Sequence, residues 1–238
     1  MDLPSVAVVI PVFNGARYLG EALASVFAQT HRPAEVVVVD DGSTDGSAAL
    51  AASFAGVTLL VQPNAGPSSA RNAGVAASSA ELIAFLDADD LWLRQKLERQ
   101  LAALESDPAV GLVLCYQEYR FEGPSAPPRW FRGPTDGGSE RGAVPSNWLL
   151  PRAVFERVGP FDASVRYAED QEWFARALAA GVRRHYVEEA LVVKRIHDAN
   201  ASGDVDLNLK SVLNVLRAKV VRERGSPDSG QYPHESTT

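Results

Sequence analysis

Three carboxylates, Asp87, Asp89 and Asp90, stand within four positions in the stretch "LIAFLDADDLW". Carboxylates this close repel one another and raise each other's pKa. A divalent cation relieves that repulsion. Hard oxygen donors suit Mg²⁺ or Mn²⁺, and Mg²⁺ takes one or two carboxylates and completes its shell with phosphates and water. The stretch therefore reads as a metal–diphosphate site. Its other reading is a solvated acidic turn, with Asp90 capping the helix that follows.

The acids must be held by something, and the residues before them say what. Leu82 to Leu86 is an apolar run, the pattern of a strand buried on both faces. "VAVVIPVFN" (Val6 to Asn14) and "AEVVVVDD" have the same character, the first ending at Phe13 and Asn14 and the second at Asp40 and Asp41. "VTLLVQ" supplies another strand. Strands alternating with helices imply a right-handed parallel sheet, and open sheets of this kind bind ligands beyond the C-terminal ends of their strands. Three polar strand ends thus converge on one edge. A carboxylate after the second strand can accept a hydrogen bond from a base N–H or a ribose hydroxyl, and Phe13 can stack on a base. "PVFNGARY" has one glycine where a dinucleotide fold needs G-x-G-x-x-G, and there is no G-x-x-x-x-G-K-[ST] loop. The site reads as nucleotide diphosphate plus metal, without hydride transfer.

The helices follow from apolar spacing. Leu19, Leu23, Val26 and Phe27 share one face, and Leu93, Leu97, Leu101 and Leu104 share another. Ser43 or Thr44 can cap the helix after the second strand. "YAEDQEWFARALAAGV" is an amphipathic helix opened by Glu169, Asp170 and Glu172, which suits the helix dipole. Residues 122–144 are crowded with Pro, Gly, Ser and Arg and include Trp130 and Phe131, so a long loop is expected. "RHYVEEALVVKRIHDANAS" reads as a hairpin or two short strands, and "LNLKSVLNVLRAKVVRER" as a last helix before a polar, disordered tail. Trp92 and Trp148 are expected in the core or the pocket wall. Arg71 pairs with Asp40 or Asp87, or contacts phosphate.

Composition narrows the class. With 238 residues, 46% of them apolar, the chain can bury a large core. A net charge of -7 argues against nucleic acid as the main partner. The one cysteine, Cys115, reads as a buried, inert thiol. No signal-peptide pattern opens the chain, and no apolar run approaches the ~20 residues of a membrane span. A soluble, cytoplasmic protein is expected, at most peripheral to a membrane. The basic residues Arg217, Lys219, Arg222 and Arg224 are the candidates for contact with an anionic membrane surface.

"VVIPVFN", "VVVDDGSTDGS", "NAGPSSARNAG", "FLDADDLW" and "AEDQEWFARAL", in this order, resemble the family 2 inverting glycosyltransferases of the GT-A fold. The resemblance runs from about Val6 to Ser202. It implies an α/β fold with a Rossmann-like, mostly parallel sheet. Residues 1–115 would be the nucleotide-sugar-binding half and 116–224 the acceptor and catalytic-base half of one domain, with 225–238 the tail. It implies that Pro11 and Phe13 line the base, that Asp41, with or without Asp40, bonds it, and that Arg71 lies near the nucleotide. Asp87-Ala88-Asp89 matches the DXD motif, with Asp87 on the ribose and Asp89 or the adjacent Asp90 on Mn²⁺ or Mg²⁺. Asp170 matches the catalytic base, and "RIHDANAS" nominates His197 for the diphosphate or metal.

The activity so implied is transfer of one sugar from a nucleotide-diphosphate sugar, UDP-linked in most of the family, to a hydroxyl on a glycan or lipid-linked sugar. Surface polysaccharide or glycolipid synthesis is the implied setting. No Q-x-x-R-W motif and no C-terminal span of the kind that processive synthases carry is read in this sequence, so transfer of a single sugar is expected. A sugar-1-phosphate nucleotidyltransferase would want a Gly-rich basic loop after the first strand. A non-catalytic nucleotide-sugar-binding scaffold would bind without turnover, and Asp170→Asn would change nothing.

Overall fold

The computed structural model describes residues 4–123, 127–128, 131–165, 168–198 and 200. Four strands form the parallel half of the sheet: β1 (Val6–Val12), β2 (Glu35–Asp40), β3 (Val57–Val61) and β4 (Leu82–Phe85). β2 and β4 flank β1, and β3 lies outside β2. The second half adds β5 (Leu91–Trp92), β6 (Val110–Phe121), β7 (Glu140–Arg141), β8 (Leu149–Pro151) and β9 (Arg183–Ile196). Among the described residues the order is β3-β2-β1-β4-β8-β6-β9-β5, with β7 on β6. β8 is antiparallel to β4 and β6, while the long β6–β9 pair is parallel.

The continuous apolar strands are explained by two cores, one on each face. Val6, Val8, Ile10 and Val12 pack with Leu19 and Leu23 of α1 (Ala16–Phe27) and with Leu97 and Leu101 of α4 (Lys96–Ser106). α2 (Ser47–Ala52) adds Ala51 to this side. On the opposite face Val9, Ile83 and Phe85 meet Val75 of α3 (Pro67–Ala76), Phe155 of α5 (Arg152–Val158) and Trp173 of α6 (Glu169–Ala179). α3 lies very close to the sheet at Gly74, where a Cβ would stand 2.4 Å from Val9 Cγ1. Glycine is therefore required there for α3 to reach its place.

Several expectations change. Residues 183–196 are one strand, not a hairpin. The polar pair Glu188 and Glu189 falls where the β6–β9 register shifts, so it marks a bulge instead of a turn. α4 begins at Lys96, and Leu93 lies before it and is exposed; Phe27, at the end of α1, is also exposed. Neither Ser43 nor Thr44 caps α2, which starts at Ser47 after a left-handed Gly46. Trp92 and Trp148 are core residues, each with its indole N–H satisfied, by the Ser146 and Ala143 carbonyls. Cys115 is buried, as expected. Within the expected loop 122–144, Glu140 and Arg141 form β7, and Phe131 packs edge-on against Tyr119 and Phe121. Trp130, the last helix with its basic residues, and the tail lie outside the described residues. Among those described, no helix is long and apolar enough to cross a membrane.

Lys96 is wholly buried, with Nζ 2.8 Å from Gln100 Oε1, 3.3 Å from the Trp148 carbonyl and 3.9 Å from the Trp92 ring centre. Burial lowers its pKa to about 7. The unfolded chain binds that proton up to its ordinary 10.5, so charging the buried amine costs stability, fully so below pH 7, and the cost fades as pH rises toward 10.5. Lys96→Met removes the charge and keeps the volume, losing donors to two acceptors at ~1–3 kcal/mol. At ~1.4 kcal/mol per pKa unit the relief exceeds that loss. Urea denaturation should show the variant more stable than wild type by ~1–3 kcal/mol at pH 6 and less so at pH 9. A variant less stable at pH 6 would contradict the assignment.

Candidate active site

A cavity of about 540 Å³ opens where β1, β2 and β4 end, in the size range of small-molecule sites. Its wall includes Pro11, Phe13, Asp41, Arg71, Asp87 and Asp170, so six of the ten residues singled out from sequence meet there.

The β1 and β2 loops brace each other. The backbone N–H of Asn14 donates to Ser43 Oγ at 2.9 Å, and that of Thr44 donates to Asn14 Oδ1 at 2.8 Å. Asn14 itself is left-handed, with φ 50°. Asp45 accepts from the Ala16 N–H and from Ser47, and these hydrogen bonds outweigh its slight burial and lower its pKa. So held, Phe13 projects 54% exposed at the cavity. Asp41 accepts from the backbone N–H groups of Ala65 (2.9 Å) and Gly66 (2.8 Å) and from Gln62 Nε2 (2.6 Å). It thereby fixes the loop that delivers α3, while lining the cavity.

Arg71 projects from α3 and is 4% exposed. Its two terminal nitrogens donate to Asp87 (2.7 Å) and Glu169 (2.8 Å), and its Cζ lies 5.5 Å over the Phe161 ring. Of the pairings expected for it, Asp87 is the one formed, and Glu169 joins unforeseen. Despite burial, these two carboxylates raise the guanidinium pKa. The bridge ties the end of β4 to the first turn of α6.

Asp170 follows, half-buried, with Oδ1 accepting the Gln171 N–H at 2.8 Å. Burial and then the charge of Glu169 push its pKa up to about 6, against the opposing charge of Arg71. A carboxylate so poised can accept a proton near neutral pH.

Asp89 lies beside the cavity wall. Its Oδ2 is 3.1 Å from His197 Nε2 and accepts from Asn200 Nδ2 at 3.1 Å. Burial would raise its pKa, but the His197 hydrogen bond and the charge of Lys194 outweigh it and the net shift is downward. The His197 ring stacks on Tyr18 at 4.6 Å, which fixes its plane. One carboxylate oxygen and one imidazole nitrogen are suitable donors for Mn²⁺ or Mg²⁺ when phosphates and water complete the shell. No cluster of three or more acidic, His or Cys ligands occurs among the described residues. Asp89 and His197 thus offer two donors, and a cation there would need phosphates and water for the rest of its shell.

Of the four sequence candidates that do not line the cavity, Asp89 and His197 pair with each other, and the other two serve the surrounding structure. Asp40 is 1% exposed, and its Oδ1 accepts the Ser43 N–H at 2.7 Å, so it organises the β2 loop. Asp90 is fully buried, accepting from Ser146 Oγ (2.7 Å) and the Arg195 N–H (3.2 Å), with Lys194 Nζ 3.7 Å away. Burial raises its pKa to about 7. It caps no helix; α4 has Gln95 at its N-cap, without a side-chain bond. A turn over Ala88 and Asp89, closed by the Asp90 N–H donating to the Asp87 carbonyl at 3.0 Å, turns Asp90 inward, away from Asp87 and Asp89. Glu169 and Lys194 were not foreseen. A lone Lys in the apolar run "LVVKRI" was the available signal for the second.

The sequence profile described as glycosyl transferase family 2 matches residues 7–159. An uncharacterised glycosyltransferase of Rickettsia typhi is 30% identical over 213 residues, covering 84% of this chain and 66% of that one. One from Nostoc sp. is 42% identical over 113 residues, 45% of this chain and 35% of that one. The chain therefore spans about two thirds of the first relative and about one third of the second. Among solved structures, S. aureus TarS 1-349 in complex with UDP aligns with a TM-score of 0.72 at 20% identity, covering 94% of this chain and 66% of TarS 1-349. The mannosyltransferase PcManGT of Pyrobaculum calidifontis, in complex with GDP-Man and Mn²⁺, aligns at 0.73 with 21% identity, covering 98% of this chain and 67% of PcManGT. These structural likenesses show the GT-A fold. The profile match covers well over half of the chain, which belongs to glycosyl transferase family 2.

Proposed function

We propose that this protein is a metal-dependent, inverting glycosyltransferase that moves one sugar from a nucleotide-diphosphate sugar, UDP-linked, to a hydroxyl acceptor. The observation that carries the reading is the meeting of Phe13, Asp41, Asp87 and Asp170 around one cavity, with Arg71 coupling the last two through Glu169. The exposed Phe13 ring is available for a base, and Asp87 for a ribose hydroxyl. Asp41 keeps the β3–α3 loop against the nucleotide. Asp89 and His197 would hold Mn²⁺ or Mg²⁺, which when bound supplies a Lewis acid for the charge of the departing diphosphate. Asp170 accepts the proton of the acceptor hydroxyl as its oxygen bonds to the anomeric carbon. The bond from that carbon to the diphosphate breaks on the opposite face, so configuration inverts and no enzyme nucleophile is needed. The ligands of the TarS and PcManGT complexes, the nucleotide UDP and the donor GDP-Man, support the nucleotide class. We place the protein in glycan or glycolipid assembly on the cytoplasmic side of a membrane, its acceptor a glycan or lipid-linked sugar.

The direct test is thermal unfolding with UDP and GDP, each with Mn²⁺ and with chelator. A ligand at 100 times its Kd, bound only by the native state, adds about 2.7 kcal/mol. UDP with Mn²⁺ should raise Tm by several degrees, and Asp89→Ala should remove the Mn²⁺-dependent part. No shift with either nucleotide would sink the donor assignment.

A further inference from the structure

Two strand neighbours on β9 send cations to opposite sides of the sheet. Arg195 turns toward α1, where it pairs with Glu21 and lies over Tyr18. Lys194 turns into the cavity wall beside Asp87 and Asp170. Its side chain is 16% exposed, and the nearest carboxylate oxygen, Asp90 Oδ2, is 3.7 Å from Nζ, beyond hydrogen-bond distance. No described group accepts a hydrogen bond from that ammonium, which has three N–H donors. The other buried lysine, Lys96, donates twice to protein. Asp90, Asp87, Asp89 and Asp170 surround Lys194, and their charges outweigh its burial and keep it protonated. A charged amine costs free energy when removed from water without acceptors. Here the open side faces the cavity that the proposed function fills with a diphosphate.

We infer that Lys194 is a diphosphate-binding residue, donating to phosphate oxygens of the nucleotide from the cavity wall. This rests on the nucleotide-sugar reading above and adds a fixed cation to it. Nucleotide binding should therefore keep a component that survives removal of divalent metal.

The experiment is calorimetric titration of the full chain with UDP, GDP, uridine and guanosine, in Mn²⁺ and in EDTA. In EDTA, wild type should bind the preferred diphosphate at least tenfold more tightly than its nucleoside. Lys194→Met should erase that difference and leave nucleoside binding unchanged, and Lys194→Arg should keep part of it. Because Lys194→Met strands the buried Asp90 charge, the double variant Lys194→Met/Asp90→Asn repeats the measurement in a charge-balanced protein. If either folded Met variant matches wild type for the diphosphate in EDTA, the inference is overturned. If wild type binds a nucleotide in Mn²⁺ but not in EDTA, the donor reading stands and the role of Lys194 falls. Absence of nucleotide binding under both conditions overturns both.

Discussion

Asp170→Asn should reduce sugar transfer by a factor of about 10² to 10⁴, the usual contribution of a positioned general base, while leaving nucleotide affinity within about twofold. The substitution keeps the side chain's size and its acceptor oxygen for the Gln171 N–H. What it removes is the capacity to take a proton. The same carboxyl sets the pH dependence. Burial and Glu169 hold the carboxyl at about 6, so the base is active above that pH and lost below it. The acid limb of kcat/KM should fall near pH 6, well above the ordinary 3.8 of an aspartate. Wild-type rates across pH 4.5–8, with nucleotide titrations of both proteins, check each part. An acid limb near 4, or a fully active Asn variant, would assign the proton transfer elsewhere.

Arg71→Met should be the most damaging single change away from the reacting atoms. Removing one partner of a buried ion pair typically costs about 3–5 kcal/mol, because the other charge stays buried and unpaired. Here two carboxylates lose their partner at once, with side-chain exposures of 23% for Asp87 and 12% for Glu169. Both can still draw some water, which keeps the expected loss near the lower end of that range. Arg71 also opposes the rise in the Asp170 pKa, so its removal should move the acid limb to higher pH. Urea denaturation at pH 7 and the pH–rate profile of the variant report the two effects separately. A loss under 1 kcal/mol with an unmoved acid limb would show that the bridge neither holds α6 nor tunes the base.

The parallel half of this fold was legible because its strands are buried on both faces and therefore apolar without interruption, as in "VVVV" before Asp40. The ends of those strands announced the cavity for the same reason: an apolar run gives way abruptly to Phe13, Asp41 or Asp87. The second half was less readable. β9 carries its charges in adjacent pairs and a bulge at one of them, Glu188 and Glu189, so its pattern imitates a turn. Nor could spacing tell Asp89 from Asp90. After β4 the chain leaves strand geometry, and which acid turns inward is decided by Ser146 and Arg195, residues 56 and 105 positions away. The Glu169 end of the Arg71 bridge, 98 positions distant, was hidden in the same way. Long-range partners of buried charges, such as Arg71 and Glu169, are set by the tertiary fold and leave no local periodicity.

The central claim is a single displacement with Asp170 as base, and the stereochemistry of turnover tests it most directly. Water can replace the acceptor, so slow hydrolysis of a panel of α-linked UDP- and GDP-sugars can be followed by proton NMR before the released sugar mutarotates. Wild type should release the β-anomer first from its preferred donor, and Asp170→Asn should release none above background. Release of the α-anomer first, or nucleotide binding with no release from any donor, would contradict the central claim.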